Sequence, residues 1–338
     1  MLALRPVAFG IGLVDAPGGR KLHDGDIPIT GGIAMFFGIF AGISILPIPG
    51  NVVLSIFIAS AVLVIIGVVD DRFHIPPVAR LFSQIVAVLL MFFGAGLSLA
   101  DIGDPFGTGL LTTGRLSLVV TMLIFVAMIN AYNFVDGADG LAGSLSLIGL
   151  LAVAVVCGVY HPSGALALTI AAAISGFLIF NFPTIYNRSV RSFMGDAGST
   201  LLGFTLAWVV LSISQGPEQV ISPVTGLWFA ALPIFDFFAC FVRRARRGKS
   251  PFTPGRDHFH HILMRGGFGV RQTLGILTGL QIVYALIGLA GAFSGTPDVV
   301  MFTAWSIIGL TQVRVIRSIS KYHRLYLRHV RRIRASSW

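Results

Sequence analysis

Residues 52–69 read VVLSIFIASAVLVIIGVV, an uncharged run that ends on the adjacent pair Asp70 and Asp71. A run of this length and apolarity is close to the ~20 residues that an α-helix needs to cross the hydrocarbon core of a bilayer. Within lipid only a helix satisfies the backbone of a single segment, so β-branched and glycine residues do not argue against it there. Working outward, similar runs recur at 31–49, 81–97, 116–131, 144–160, 165–182, 201–214, 224–242, 274–293 and 299–313. The expected fold class is therefore all-α, a polytopic membrane protein with about ten transmembrane helices.

Composition supports this reading. Of 338 residues, 55% are apolar and only 11% are Asp, Glu, Lys or Arg, against roughly 25% charged in a soluble domain. That excludes an ordinary soluble enzyme, a disordered chain and a nucleic-acid-binding module. Cys157 and Cys240 both lie in apolar runs, so no disulfide framework is expected. The net charge of +10 is a matter of placement. The segments 1–30, 70–80, 130–143, 183–200, 243–273 and the tail from 314 hold 23 of the 24 Lys and Arg, and the alternate loops hold only Arg115. By the positive-inside rule the basic side is cytoplasmic, and both termini with it. The chain divides into one membrane domain, 1–313, and a basic tail, 314–338, expected to contact anionic headgroups. Residues 1–12 (MLALRPVAFGIG) read like the end of a further span, which leaves two readings open, a short cytoplasmic arm or a natural start upstream.

The acids carry the chemistry. Nine of the fourteen fall in the basic-side segments, several at span ends within glycine-rich polar strings. Polar groups there are buried in protein or line a wet cavity, and are functional candidates by default. Asp70 and Asp71 sit at a helix C-terminus, where the dipole is unfavourable and two carboxylates repel unless a cation or proton lies between them. In NAYNFVDGADG (130–140), Asn130, Asn133, Asp136 and Asp139 recur every three residues, and on a helix their oxygens would follow one slowly rotating face. Such hard oxygen donors suit Mg²⁺ or Mn²⁺. In FMGDAGST (193–200), Asp196 precedes a helix start whose N–H groups and hydroxyls suit a phosphate. His258, His260 and His261 beside Arg256 lack the i, i+4 pairing of a zinc site and suit anionic oxygens or proton transfer. Lys21 in RKLHDGD is a juxtamembrane candidate. A divalent metal among basic side chains implies a phosphate substrate, with one soluble reactant and one lipid.

These strings resemble one family. GLVDAPGGRKLH, GVVDDRF, NAYNFVDGADGL, FMGDAGSTLLGF, ISPVTGLW and SPFTPGRDHFHHILMRGGF are similar to motifs of the polyprenyl-phosphate N-acetylhexosamine-1-phosphate transferases and span residues 12–272. The resemblance implies transfer of N-acetylglucosamine 1-phosphate from UDP-GlcNAc to undecaprenyl phosphate with Mg²⁺ or Mn²⁺, in a bacterial inner membrane, as the first step of O-antigen or related glycan assembly. It implies that Asn133 and Asp196 hold the metal and that Asp70 and Asp71 are the essential catalytic pair. It also implies that Phe193 stacks near the uracil and Asp139 contacts the nucleotide, while Lys21, Arg256, His258, His260 and His261 surround the phosphates and the lipid acceptor. His74 stands where the muramoyl-pentapeptide branch has lysine, and Phe259 interrupts that branch's three consecutive histidines; both favour the hexosamine branch. Relatives have eleven spans, one more than is visible here. Another UDP-N-acetylhexosamine donor, and pairing of the chain as a homodimer, stay open. A secondary transporter would need an internal repeat and midplane charges, and an intramembrane aspartyl protease two facing aspartates at depth; only Asp236 lies inside an expected span.

A second ionisation near ~6 leaves a phosphomonoester mostly dianionic at neutral pH, so a general base has little to contribute. Direct attack by the lipid phosphate is expected, with Asp70 or Asp71 orienting acceptor or metal; a covalent aspartyl-phosphate is the other route.

Overall fold

The computed structural model describes residues 1–16, 25–183, 191–246, 248 and 258–336, with side chains described up to 329. Its helices are α1 (Leu4–Ile11), α2 (Gly31–Ile43), α3 (Gly50–Phe73), α4 (Pro77–Gly94), α5 (Ser117–Val135), α6 (Leu141–Cys157), α7 (Pro162–Asn181), α8 (Gly195–Ser214), α9 (Pro223–Gly226), α10 (Ala231–Ala245), α11 (Phe259–Arg265), α12 (Val270–Ser294) and α13 (Asp298–Ser336). Two short strands, β1 (Val14–Asp15) and β2 (Ile27–Pro28), pair antiparallel. The protein is an all-α polytopic membrane protein. Eight helical segments are long and apolar enough to cross a bilayer; α2 and α6 are apolar but shorter, at 13 and 17 residues. Together they fall on the ten runs expected from sequence.

The bundle is organised around α8. Protein buries 89% of its apolar window, against 17–67% for the other seven. It packs on α2, α3, α5 and α6. Close approach depends on missing side chains, as is usual where helices pack in lipid. A Cβ on Gly67 of α3 would strike the backbone of Asp196 and Ala197, and one on Gly203 of α8 would come within 2.7 Å of the α5 backbone at Met128 and Ile129. Outward-facing Phe37, Ile65, Phe93, Leu123 and Ile179 are all exposed, as a lipid-facing surface requires.

Two chain reversals place the polar strings together. Helix α3 ends at His74, which takes a left-handed φ of 56° while its N–H donates to Asp70 O at 2.8 Å. Pro76 and Pro77 then start α4, Pro77 occupying the first turn, where its missing N–H costs nothing. Helix α5 stops at Val135, and the turn to α6 runs through Gly140, whose N–H donates to Asn181 Oδ1 at 2.7 Å.

The basic tail is not a separate element. Helix α13 runs unbroken for 39 residues, about 58 Å at 1.5 Å per residue, more than the ~40–45 Å of a whole bilayer. No proline interrupts it and no glycine follows Gly309. Beyond residue 314 it packs on α11: Ser320 Oγ donates to Ile262 O at 2.8 Å and Arg324 Nη2 to Arg265 O at 2.9 Å.

Candidate active site

The end of α3, the start of α4, the end of α5 and the start of α8 meet at one end of the bundle. The aspartate pair is divided there. Asp70 is 4% exposed and turns inward, its Oδ1 accepting the Ile75 N–H at 2.9 Å and its Oδ2 lying 3.0 Å from Arg80 Nη1. Asp71 points across to α8, its Oδ1 accepting the Asp196 N–H at 2.8 Å and its Oδ2 the Ala197 N–H at 3.4 Å. Each carboxylate of the pair therefore has its own protein partner. The repulsion is relieved because Asp71 sits at the positive end of another helix. Gly195, at φ +67°, leaves the room for this: a Cβ there would overlap the Asp71 carboxylate.

This arrangement also alters the expected phosphate cradle. The N–H groups at the start of α8 already hold the Asp71 carboxylate. Asn133 Nδ2 donates to Ser199 Oγ at 3.0 Å, and the Thr200 hydroxyl donates to Asp196 O at 2.7 Å. Among the described residues the cation lining the cleft is Arg80, one turn into α4, whose Nη1 also lies 3.7 Å from Asp196 Oδ2. Sequence reading counted Arg80 only as a topology charge; its place nine residues after Asp71 was the available signal.

The four residues spaced by three do not share a face, because the helix ends before Asp136. Asn130 Nδ2 donates to Gln84 Oε1 of α4 at 2.7 Å. Asn133 Nδ2 donates to Asp196 Oδ1. Asp136 lies just beyond α5, where burial first, then the charges of Asp196 and Asp71, push its carboxyl up to about 8. Asp139 is ion-paired with Arg191, a second residue that sequence reading passed over. Phe193 is half-buried against a small apolar cluster of Ala8, Leu13 and Ile29. Its N–H donates to Pro28 O at 3.0 Å, and its carbonyl accepts from Gly31 N at 2.9 Å. Lys21 and Arg256 lie outside the described residues.

An open cleft of about 640 Å³ lies between α3, α4, α5 and α8, with Leu63, Ile66 and Leu81 on its apolar wall and Arg80, Asn133 and Asp196 on its polar one. Asp70, Asp71, Asp136 and Asp196 face each other's fields with Arg80 as the cation bridging two of them. That surplus of negative charge, on hard oxygen donors, fits a divalent cation of the Mg²⁺ type. Among the described residues no three acidic, His or Cys side chains stand close enough to enclose a metal. The fit is therefore to an ion that takes one or two protein oxygens and fills its other positions with water and phosphate, as Mg²⁺ does.

His260 and His261 lie on α11, and His258 immediately precedes it. His258 Nδ1 is 2.9 Å from Asp236 Oδ2, and its Nε2 is 3.8 Å from Cys240 Sγ. Burial lowers its basicity, but the hydrogen bonds and charges of Asp236 and Cys240 prevail and raise it to about 9. His260 is 1% exposed and held well below the usual imidazole range by burial and by the adjacent His261 and His258. A Cβ on Gly137 would overlap its Nε2, so the ring lies against the turn that follows α5.

Comparison with known proteins places this constellation. A model described as "Glycosyl transferase family 4" matches residues 53–214, the segment from α3 to the end of α8. A Yersinia pestis protein is 38% identical over 346 aligned residues, covering 100% of this chain and 93% of its own. The chain belongs to this family of transferases. An Escherichia coli (strain K12) member is 39% identical, covering 98% and 90% of the two chains, and one from Haemophilus influenzae 36%, covering 91% and 87%. All three family members carry the name undecaprenyl-phosphate alpha-N-acetylglucosaminyl 1-phosphate transferase. The family match takes in Asp70, Asp71, Asn133, Asp136, Asp139 and Asp196, and the longer alignments extend it to the histidine string.

Proposed function

We propose that the protein transfers N-acetylglucosamine 1-phosphate from UDP-GlcNAc to undecaprenyl phosphate, yielding undecaprenyl-diphospho-GlcNAc and UMP, at the cytoplasmic face of a bacterial inner membrane. The supporting observation is the position of Arg80, between Asp70 and Asp196 at the mouth of an apolar-walled cleft. A lipid phosphate entering along Leu63, Ile66 and Leu81 meets a guanidinium, which binds phosphate in a bidentate fork. A lipid phosphate oxygen attacks the phosphorus bonded to the sugar oxygen. The bond from that phosphorus to the bridging oxygen breaks, and UMP leaves with the electron pair. Asn133 and Asp196 would hold a Mg²⁺ ion, which when bound neutralises charge on the diphosphate. Asp70 restrains Arg80 and so orients the acceptor. Asp71 fixes the start of α8 and with it Asp196. The product is the first lipid-linked intermediate of O-antigen or a related glycan.

The test supplies radiolabelled UDP-GlcNAc, undecaprenyl phosphate and Mg²⁺ to the purified chain in detergent. Labelled lipid should form, cease with EDTA and return with excess Mg²⁺. No labelled lipid under any of these conditions would overturn the reading.

A further inference from the structure

The sequence YNFVDGADG and the histidine string are far apart in the chain, and one buried acid joins them. Asp236 is 1% exposed in the apolar run LPIFDFFACF of α10, where an unpaired carboxylate would be strongly destabilising. Both of its oxygens are committed to the beginning of α11. Oδ2 pairs with His258 Nδ1 at 2.9 Å and Oδ1 accepts the Phe259 N–H at 2.9 Å. His258 is committed in turn. Its remaining nitrogen faces Cys240, one turn along α10 from Asp236, and Phe134 of α5 packs on it with ring centroids 5.2 Å apart. No ring nitrogen of His258 is left for a substrate. His260 differs: its ring lies parallel to that of His258 at 5.9 Å, it is almost fully buried, and among the described residues neither nitrogen has a hydrogen-bond partner. The neighbour of its Nε2 is Gly137, next to Asp136.

We infer that Asp236 is a positioning residue: with His258 as its arm it anchors α11, and it thereby presents His260 to the 136–140 turn, against which we place the nucleotide diphosphate. Two of the three histidines expected to share one role thus separate into an anchor, His258, and a working residue, His260. The opposite end of α11 is held independently by α13 through Ser320 and Arg324, so releasing Asp236 frees the histidine end alone. This rests on the proposed transfer reaction only for the identity of the substrate.

The test uses the full chain in detergent and the variants Asp236→Asn, His260→Ala and their combination. Asp236→Asn keeps an oxygen for the Phe259 N–H and is chosen because Asp236→Ala leaves the buried His258 without its partner. Asp236→Asn and His260→Ala should each lower kcat about tenfold or more, with KM for UDP-GlcNAc changed less than about threefold. The double variant should be no more than about threefold below His260→Ala, since residues acting through one another do not add. Unchanged kcat in Asp236→Asn, or a loss that multiplies in full on His260→Ala, would overturn the inference. A second readout does not need the reaction. Carbethoxylation of the buried His260 by diethyl pyrocarbonate, located by mass mapping, should quicken in Asp236→Asn, and an unchanged rate of modification would also overturn it. A wild-type chain that fails to make labelled lipid therefore defeats the proposed function alone, while the histidine modification rate still decides the anchor.

Discussion

Asp71 caps the helix that carries Asp196: its carboxylate accepts the Asp196 N–H at 2.8 Å across 125 residues of chain. One member of the aspartate pair thus positions the other side of the site, while Asp70, itself buried, holds Arg80, which lines the cleft. Asp71→Ala leaves the first N–H groups of α8 unpaired, at a cost of about 1–3 kcal/mol. Asp71→Asn retains an oxygen acceptor and should lose less than half of that. Thermal unfolding in detergent, run beside Asp70→Asn, checks the order. Equal melting temperatures for Asp71→Ala and wild type would remove the cap from the account.

Arg80 neutralises Asp70 and Asp196 at 3.0 and 3.7 Å. Arg80→Gln removes both the proposed phosphate contact and the charge that opposes a divalent ion. Transfer should fall by about tenfold or more, in keeping with loss of a charge-assisted hydrogen bond. The Mg²⁺ concentration for half-maximal rate should fall too, because the site becomes more negative. A magnesium titration of the residual activity measures this; a higher requirement would place Arg80 on the side of the metal rather than against it.

The membrane architecture was legible because lipid leaves an uncharged run such as 52–69 only one backbone solution. The site was legible as a set of residues but not as an arrangement. Asn130, Asn133, Asp136 and Asp139 looked like one helical face, yet the helix ends at Val135 and the four find separate partners: Gln84, Asp196, the fields of Asp71 and Asp196, and Arg191. The carboxylate at the start of α8 could not be read either, since it comes from Asp71 on another helix. Arg80 was hidden by the topology signal to which every basic residue contributes. Asp236 stood out as an acid inside an apolar run, but its partner lies 22 residues on, on another helix's first turn.

His258 should give the protein an alkaline limit. Asp236 and Cys240 of α10 face it, His260 stacks on it from α11, and the α5 residue against it is the uncharged Phe134. Its folded value, about 9, lies above the ordinary 6.5. Stability from the pair is complete below about 6.5 and is lost as pH rises through about 9. The apparent melting temperature should therefore decline between pH 7 and pH 10, and Asp236→Asn should flatten that decline. A wild-type melting temperature constant over this range would mean that the pair is not ionic.

The crossing of α3 and α8 sets the distance between the aspartate pair and Asp196, and it depends on Gly67. An added methyl there would meet the backbone of Asp196 and Ala197, which cannot rotate aside as a side chain would. Forced overpacking of this kind costs about 1–3 kcal/mol or more, and here the displaced atoms include the N–H that Asp71 accepts. Gly67→Ala should therefore lower both the yield of folded protein and the transfer rate of what remains. Gly279→Ala on α12 is the matched control, since nothing lies within 4 Å of its added Cβ. Size-exclusion yield and specific activity of the two variants, measured side by side, test the crossing. If Gly67→Ala retained full activity, α3 and α8 would have room to separate without disturbing the site, and the fixed spacing of Asp70, Asp71 and Asp196 would not matter to the reaction.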